Sequence, residues 1–170
     1  MTGLLGRLLI FSGCTILGVS QGRALTQRTQ CLEQFRVTLA ELSRELAFSL
    51  RPLPELAEQA ARHSIPPVSD FFTACQREFS ASGGESWAES WHRTLEHLDL
   101  PLLDSDCRIL REAGHILGRY DGEAQQKALT GVLTRLERAE EEARARAGRL
   151  FRVDVVLGVS AGLFWLILLW

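Results

Sequence analysis

The stretch LTQRTQCLEQFRVTLAELSREL, residues 25–46, indicates how this chain folds. Apolar residues recur in it every seven positions, with a second apolar position offset by three: Leu25, Leu32, Leu39 and Leu46, then Phe35 and Leu42. This repeat predicts an amphipathic helix over residues 24–50 with one apolar stripe. Because such a stripe needs an apolar surface to cover it, the rest of the chain should supply further helices.

Prolines and glycines divide the following sequence into helical segments. Arg51-Pro52-Leu53-Pro54 ends the first helix, since proline cannot continue the helical hydrogen bonding. Further helices are predicted from Pro54 to about His63, from Val68 to Phe79, over Trp87, Trp91, Leu95 and Leu98, from a cap at Asp104 or Ser105 to Gly118 or Tyr120, and from about Asp121 onward. No alternating strand pattern is present. The sequence therefore predicts an all-α bundle of about six helices, long enough to bury its own core.

Both ends of the chain lack charge. Residues 8–22 and 155–170 contain no charged side chain, although 24% of the whole chain is charged. With their flanking residues these runs approach the roughly 20 residues that a helix needs to span a bilayer. We predict transmembrane helices at 4–22 and 153–170, which flank a central helical domain at 23–152.

The first apolar segment has a second interpretation, a cleaved signal peptide with Arg7 before its apolar region. The sequence Ser20-Gln21-Gly22 lacks the Ala-x-Ala pattern of a cleavage site, which favours the transmembrane interpretation.

Arginines next to the two apolar segments predict their orientation. They cluster on the side of the central domain, at Arg23, Arg28, Arg144, Arg146, Arg149 and Arg152. Because cytoplasmic flanks are enriched in Lys and Arg, the central domain should be cytoplasmic and both termini outside.

Small residues recur on one face of each predicted membrane helix. Cys14, Gly18 and Gly22 are four apart, as are Gly158 and Gly162. In lipid, small residues let helices approach closely, so these five positions are candidates for helix packing within the membrane.

No motif in the sequence indicates catalysis. The four histidines lack the i, i+4 spacing of a helical zinc site, and the four cysteines show no metal or disulfide spacing. Neither a phosphate-binding loop nor a Gly-x-Ser-x-Gly nucleophile motif occurs. The net charge of −2 argues against binding nucleic acid. We therefore expect no enzyme activity, no metal or other cofactor and no small-molecule substrate, with a membrane hydrolase as the weakest alternative.

One block, between Gly114 and Gln126, has two interpretations. Gly114 and Gly118 could admit another helix closely, or Gly118 could end a helix in the left-handed conformation. Asp121 could cap the next helix, with Gln125 one turn further on. This describes a rigid helix–turn–helix corner. Alternatively, Asp121, Gln125 and the neighbouring Gln126 contact a partner.

The pattern Gly-x-x-Leu-Gly-x-x-Asp-x-x-x-Gln, from Gly114 to Gln125, resembles the stage III sporulation protein AB family. The resemblance extends to Leu39-Ala40-Glu41-Leu42, to the pair Trp87 and Trp91, and to both apolar ends, so it covers essentially the whole chain.

The resemblance implies a role in endospore formation. Such a protein would lie in the mother-cell membrane, in the secretion-like channel complex that links mother cell and forespore. Its central domain would be similar to the six-helix F-type platform domains of type II secretion. It would be a non-enzymatic platform whose partners are a stage III sporulation AA-type ATPase and other membrane proteins of the channel. The alternative is a membrane-tethered adaptor or regulator that sequesters a soluble factor.

Overall fold

A computed structural model of the chain describes residues 26–48, 51–81, 83, 86–118 and 122–168, and at residues 122, 123 and 150–168 it describes the helical backbone alone. Throughout these residues the secondary structure is helical, without strands, as the sequence predicts. The helices are α1 at 26–48, α2 at Leu53–His63, α3 at Val68–Ala81, α4 at Trp87–His97, α5 at Asp104–Leu117 and α6 at Gly122–Leu168.

The predicted breaks fall where the helices end, because their residues cannot continue helical hydrogen bonding. Pro52 precedes α2, and the pair Pro66-Pro67 precedes α3. A capping box begins α4: the hydroxyl of Ser86 accepts from the Glu89 N–H at 3.3 Å, and the Glu89 carboxylate accepts from the Ser86 N–H at 3.1 Å. Each of these breaks is therefore encoded locally.

The predicted cap of α5 is wrong. Leu103 occupies the cap position, whereas Asp104 and Ser105 lie inside the first turn. The capping bond comes from Asp106, whose carboxylate accepts from the Leu103 N–H at 3.0 Å. Asp106 is only 1% exposed. The capping hydrogen bond that the sequence assigned to Asp104 or Ser105 is therefore made by a buried carboxylate three residues after Leu103.

An aromatic cluster forms the core of the bundle. Phe35 of α1 meets Phe71 of α3 edge to face at 5.3 Å, and Phe71 meets Trp91 of α4 at 4.8 Å. Phe72 packs against Trp91 at 5.6 Å. All four side chains are fully buried, and edge-to-face pairs add about 0.5–1.5 kcal/mol each beyond burial. This cluster therefore fastens three helices to one another.

The apolar stripe of α1 is buried along the middle of the helix. Leu32, Phe35, Leu39 and Leu42 are all buried. Leu46 is half-buried, and Leu25 lies outside the described residues. Beside the stripe, Nε of Arg36 donates to the carboxylate of Glu140 on α6 at 2.8 Å, which ties two helices that are far apart in sequence.

The chain divides into two compact units, residues 30–140 and a unit formed by residues 1–29 and 141–170. The aromatic core lies entirely within residues 30–140. No helix is long and apolar enough to cross a membrane among the residues that the structure describes with side chains. The segment predicted at 4–22 lies outside the described residues, and the segment at 153–170 falls where at most the helical backbone is described.

Candidate functional site

Gly114 lies on α5 where the Trp91 side chain of α4 packs against it. It is buried, and a Cβ placed on it would overlap Cδ1 and Cγ of the Trp91 indole. The same indole donates from Nε1 to the carbonyl oxygen of Leu110 at 2.8 Å. Because Gly114 has no side chain, the Trp91 ring can approach α5 closely enough to make this bond.

Gly118 ends α5 in an ordinary right-handed conformation. Its φ of −77° and ψ of −2° rule out the left-handed alternative that the sequence left open. Its N–H donates to the carbonyl of Gly114 at 3.2 Å, which is the last bond of the helix. A Cβ on Gly118 would meet Ala88 at 3.4 Å, an ordinary contact, so the position does not require glycine for space.

Gln125 connects α6 to the end of α5. Its side-chain Nε2 donates to the carbonyl oxygen of Leu117 at 3.3 Å. That carbonyl belongs to the last turn of α5, where no backbone partner is available within the helix. Gln126 is exposed on the neighbouring position of α6, and Asp121 lies outside the described residues. In this arrangement Gln125 supports a corner.

The contribution of Gln125 to the corner can be measured. Gln125→Ala should lower the free energy of unfolding by about 0.5–1.5 kcal/mol, because it removes one hydrogen bond to a helix-end carbonyl. Gln126→Ala, the matched control at an exposed position, should change it by less than about 0.5 kcal/mol. Urea unfolding followed by circular dichroism makes the comparison. Unchanged stability of Gln125→Ala together with lost partner binding would instead assign Gln125 to a contact surface.

A charged groove of about 760 Å³ lies between α4 and α5 on the surface of the bundle. Its walls carry Glu89, His92, Arg93 and Glu96 from α4 and Arg108, Arg111, Glu112 and His115 from α5. Below the groove, Trp91 and Gly114 hold the two helices together. The packing of Trp91 on Gly114 therefore holds together the two helices that carry these charged side chains.

Three contacts order the side chains of the groove. Nε of Arg111 donates to Nδ1 of His92 at 3.1 Å, and Nε2 of His92 lies 3.2 Å from a carboxylate oxygen of Glu96. Arg135 of α6 holds the carboxylate of Glu112 at 2.6 Å. His92 therefore lies between the guanidinium of Arg111 and the carboxylate of Glu96.

The cysteines of the bundle are not poised for nucleophilic chemistry. Burial raises the pKa of Cys31 and the pKa of Cys75 to about 12 in each case. Partial burial also raises the pKa of Cys107, with nearby Asp106 adding to the effect. The thiolate is the reactive form, so these thiols are unreactive near neutral pH. No cluster of three or more His, Cys, Asp or Glu that could hold a metal occurs in the described part of the chain.

The remaining candidate residues from the sequence differ in burial and in whether their side chains are described. Arg28 is buried, whereas Arg144, Arg146 and Arg149 are exposed. The remaining ones have no described side chain: Arg23, Cys14, Gly18 and Gly22 near the start, and Arg152, Gly158 and Gly162 near the end.

Sequence reasoning missed the groove. The available signal was the spacing of Arg108, Arg111 and His115, which are three and four residues apart and so share one face of a helix. What the spacing could not reveal is that α4 would lie alongside that face.

Comparisons with known proteins agree with the fold. The family model described as stage III sporulation protein AB matches residues 3–170. A solved structure described as stage III sporulation protein AB (SpoIIIAB) is similar, with a TM-score of 0.67 and 28% sequence identity over 72% of this chain and 97% of that one. No curated protein matches this chain. A match over nearly the whole length shows the family: the chain belongs to the stage III sporulation protein AB family.

Proposed function

We propose that this sporulation protein is a non-enzymatic platform at the mother-cell membrane, where its helical bundle docks a stage III sporulation AA-type ATPase within the channel complex. The observation that carries the proposal is the family match over residues 3–170, which includes both apolar ends as well as the bundle. The role as part of a sporulation complex follows from the family. Beyond the family role, we propose that the chain acts as a platform and that it docks the ATPase.

Attachment to the membrane is supported by the distribution of charge. Residues 8–22 and 155–170 carry none, and apart from Arg7 the arginines next to them lie on the side of the central domain. A helix without charge over such a length is more stable in lipid than in water. We therefore assign 4–22 and 153–170 to the membrane and 23–152 to the mother-cell cytoplasm.

Docking by surface complementarity is supported by the structure of the bundle. Its interior is filled by aromatic and aliphatic side chains, which leaves the helix surfaces to interact with other molecules. On those surfaces the acidic and basic side chains lie side by side, as in the groove between α4 and α5. Such surfaces give specificity and orientation to a protein partner through matched charges.

Co-purification tests the proposal. The full-length chain, extracted in detergent and immobilised, should retain the stage III sporulation AA-type ATPase with a Kd tighter than about 10 µM, or roughly −7 kcal/mol. Addition of the chain should also change the rate of ATP hydrolysis.

A deletion strain provides the cellular counterpart, and its sporulating cells should stall after engulfment. Normal spore yield in that strain, or no retention of the ATPase at 100 µM, would contradict the platform role. Retention of a soluble transcription factor in place of the ATPase would favour the adaptor.

A further inference from the structure

The carboxylates of the α4–α5 groove are already engaged by groups of this chain. Glu89 accepts from the Ser86 N–H in the capping box, and Glu96 lies 3.2 Å from Nε2 of His92. Glu112 is held by Arg135 at 2.6 Å. The acidic and basic residues of the groove balance in number, and each of its three carboxylates already makes a contact within the bundle. Arg93 of the groove is also engaged, by Glu78 at 3.7 Å.

The arginines of α5 keep unused donors. Arg108 is exposed and has no hydrogen bond or ion pair to any residue that the structure describes. Arg111 uses Nε on His92, which leaves the two terminal nitrogens of its guanidinium for another group. A guanidinium that is ordered by such a bond loses less side-chain entropy when it binds a carboxylate.

The spacing of these groups matches a helix. Arg108, Arg111 and His115 are three and four residues apart on α5, so they follow one face at a rise of about 1.5 Å per residue. Arg108 and Arg111 are therefore separated by about 4.5 Å along the axis. Carboxylates at positions three and four apart on a partner helix have the same spacing.

We propose that the α4–α5 groove is the docking surface for an acidic helical segment of a protein partner, whose carboxylates bind Arg108 and Arg111. The inference rests on the proposed function, because it names the surface and the chemistry through which the platform holds its partner. The occupant is selected by the guanidinium groups of Arg108 and Arg111, whose remaining donors contact no residue that the structure describes, so that a carboxylate of the partner can bind both.

A small-molecule ligand fits this groove less well. Such sites are enclosed and carry only a few polar groups, which orient the ligand. This groove lies open on the surface of the bundle, and six of its ten lining residues are Glu or Arg. A partner helix can present several carboxylates to these residues along one face.

A peptide titration tests the groove on the full-length chain in detergent. The probe is a fluorescent helical peptide of about 18 residues, with glutamates three and four apart on one face. Its two counterparts carry glutamine or lysine at those positions. Arg108→Glu/Arg111→Glu should weaken binding of the glutamate peptide at least about tenfold, or 1.4 kcal/mol. Arg108→Glu alone should give part of this loss.

The matched control is Arg44→Glu/Arg77→Glu, which makes the same change in net charge at exposed positions of α1 and α3 outside the groove. This pair should leave binding unchanged. Equal losses in both pairs, stronger binding of the lysine peptide, or no binding of the glutamate peptide at 1 mM would overturn the proposal. Thermal unfolding of each variant identifies any that fail to fold. Arg108→Glu breaks no contact with the described part of the chain, so this variant should fold even if the double variant does not.

Retention of the ATPase separates this inference from the proposed function. If the wild-type chain retains the ATPase and both arginine pairs do so equally, the groove assignment fails and the platform role stands. If the wild-type chain binds the glutamate peptide through Arg108 and Arg111 but does not retain the ATPase, the groove assignment stands and the platform role fails.

Discussion

Trp91→Ala is expected to lower the free energy of unfolding by about 3–5 kcal/mol, the usual cost of removing a large buried aromatic side chain. Trp91 is fully buried, and its ring contacts Phe71 and Phe72. The substitution also removes the hydrogen bond from its indole to the carbonyl oxygen of Leu110. Denaturant unfolding of the full-length chain, followed by far-ultraviolet circular dichroism, measures the loss.

Two variants separate the causes of this loss. Trp91→Phe keeps an aromatic ring in the cluster while removing the hydrogen bond, so its cost should be clearly smaller than that of Trp91→Ala. Phe48→Ala removes an aromatic ring that is 91% exposed and should change stability by less than about 0.5 kcal/mol. A loss for Phe48→Ala as large as that for Trp91→Ala would mean that the aromatic cluster is not the centre of the bundle.

Gly114→Ala is expected to destabilise the bundle by about 1–3 kcal/mol, since it forces a methyl group into a filled space. The new Cβ would overlap the Trp91 ring, so either the indole or the helix must shift. Helix propensity alone would make the alanine variant more stable than the wild type by about 0.5–1 kcal/mol. A net loss of stability would therefore come from the steric conflict. Denaturant unfolding again measures it.

Gly131→Ala is the matched control for this substitution. Gly131 lies inside α6, and a Cβ there would have no neighbour within 4 Å. This variant should therefore be more stable than the wild type by about 0.5–1 kcal/mol. In the background of Trp91→Ala the cost of Gly114→Ala should disappear, with a coupling of about 1–3 kcal/mol. An unchanged cost in that background would show that Trp91 is not what requires glycine at this position.

The helices could be predicted from the sequence because their signals are local. The seven-residue repeat from Leu32 to Leu42 marks the buried face of α1. Pro52, Pro66 and Pro67 lie between helices, and Pro54 lies in the first turn of α2, where a proline is tolerated. Caps were less predictable. Asp104 and Ser105 are as suitable for capping as Asp106 by residue type, and the choice depended on which carboxylate could be buried next to the Leu103 N–H.

The corner was partly accessible from sequence and the groove was not. The spacing between Gly118 and Gln125 pointed to a turn between two helices, and the bond from Gln125 to Leu117 lies at that turn. The conformation of Gly118 could not be derived, because glycine adopts right-handed and left-handed conformations with similar ease. The groove needed two helices whose relative placement no local pattern encodes.

The sequence by itself determined the helical class, the helix order and the stripes that become buried, since each depends on residues within a few turns of one another. Only the tertiary structure decided that Trp91 would lie on Gly114 and that Arg36 would reach Glu140. The periodicity of apolar residues predicts which face of a helix is buried. It does not predict which other helix packs on that face, because any helix with an apolar face of similar width could do so. Within the bundle, the helix that packs on each apolar face is selected by the shapes of side chains from distant parts of the chain. The packing of α5 on α4 also placed Arg108 and Arg111 beside the exposed face of α4.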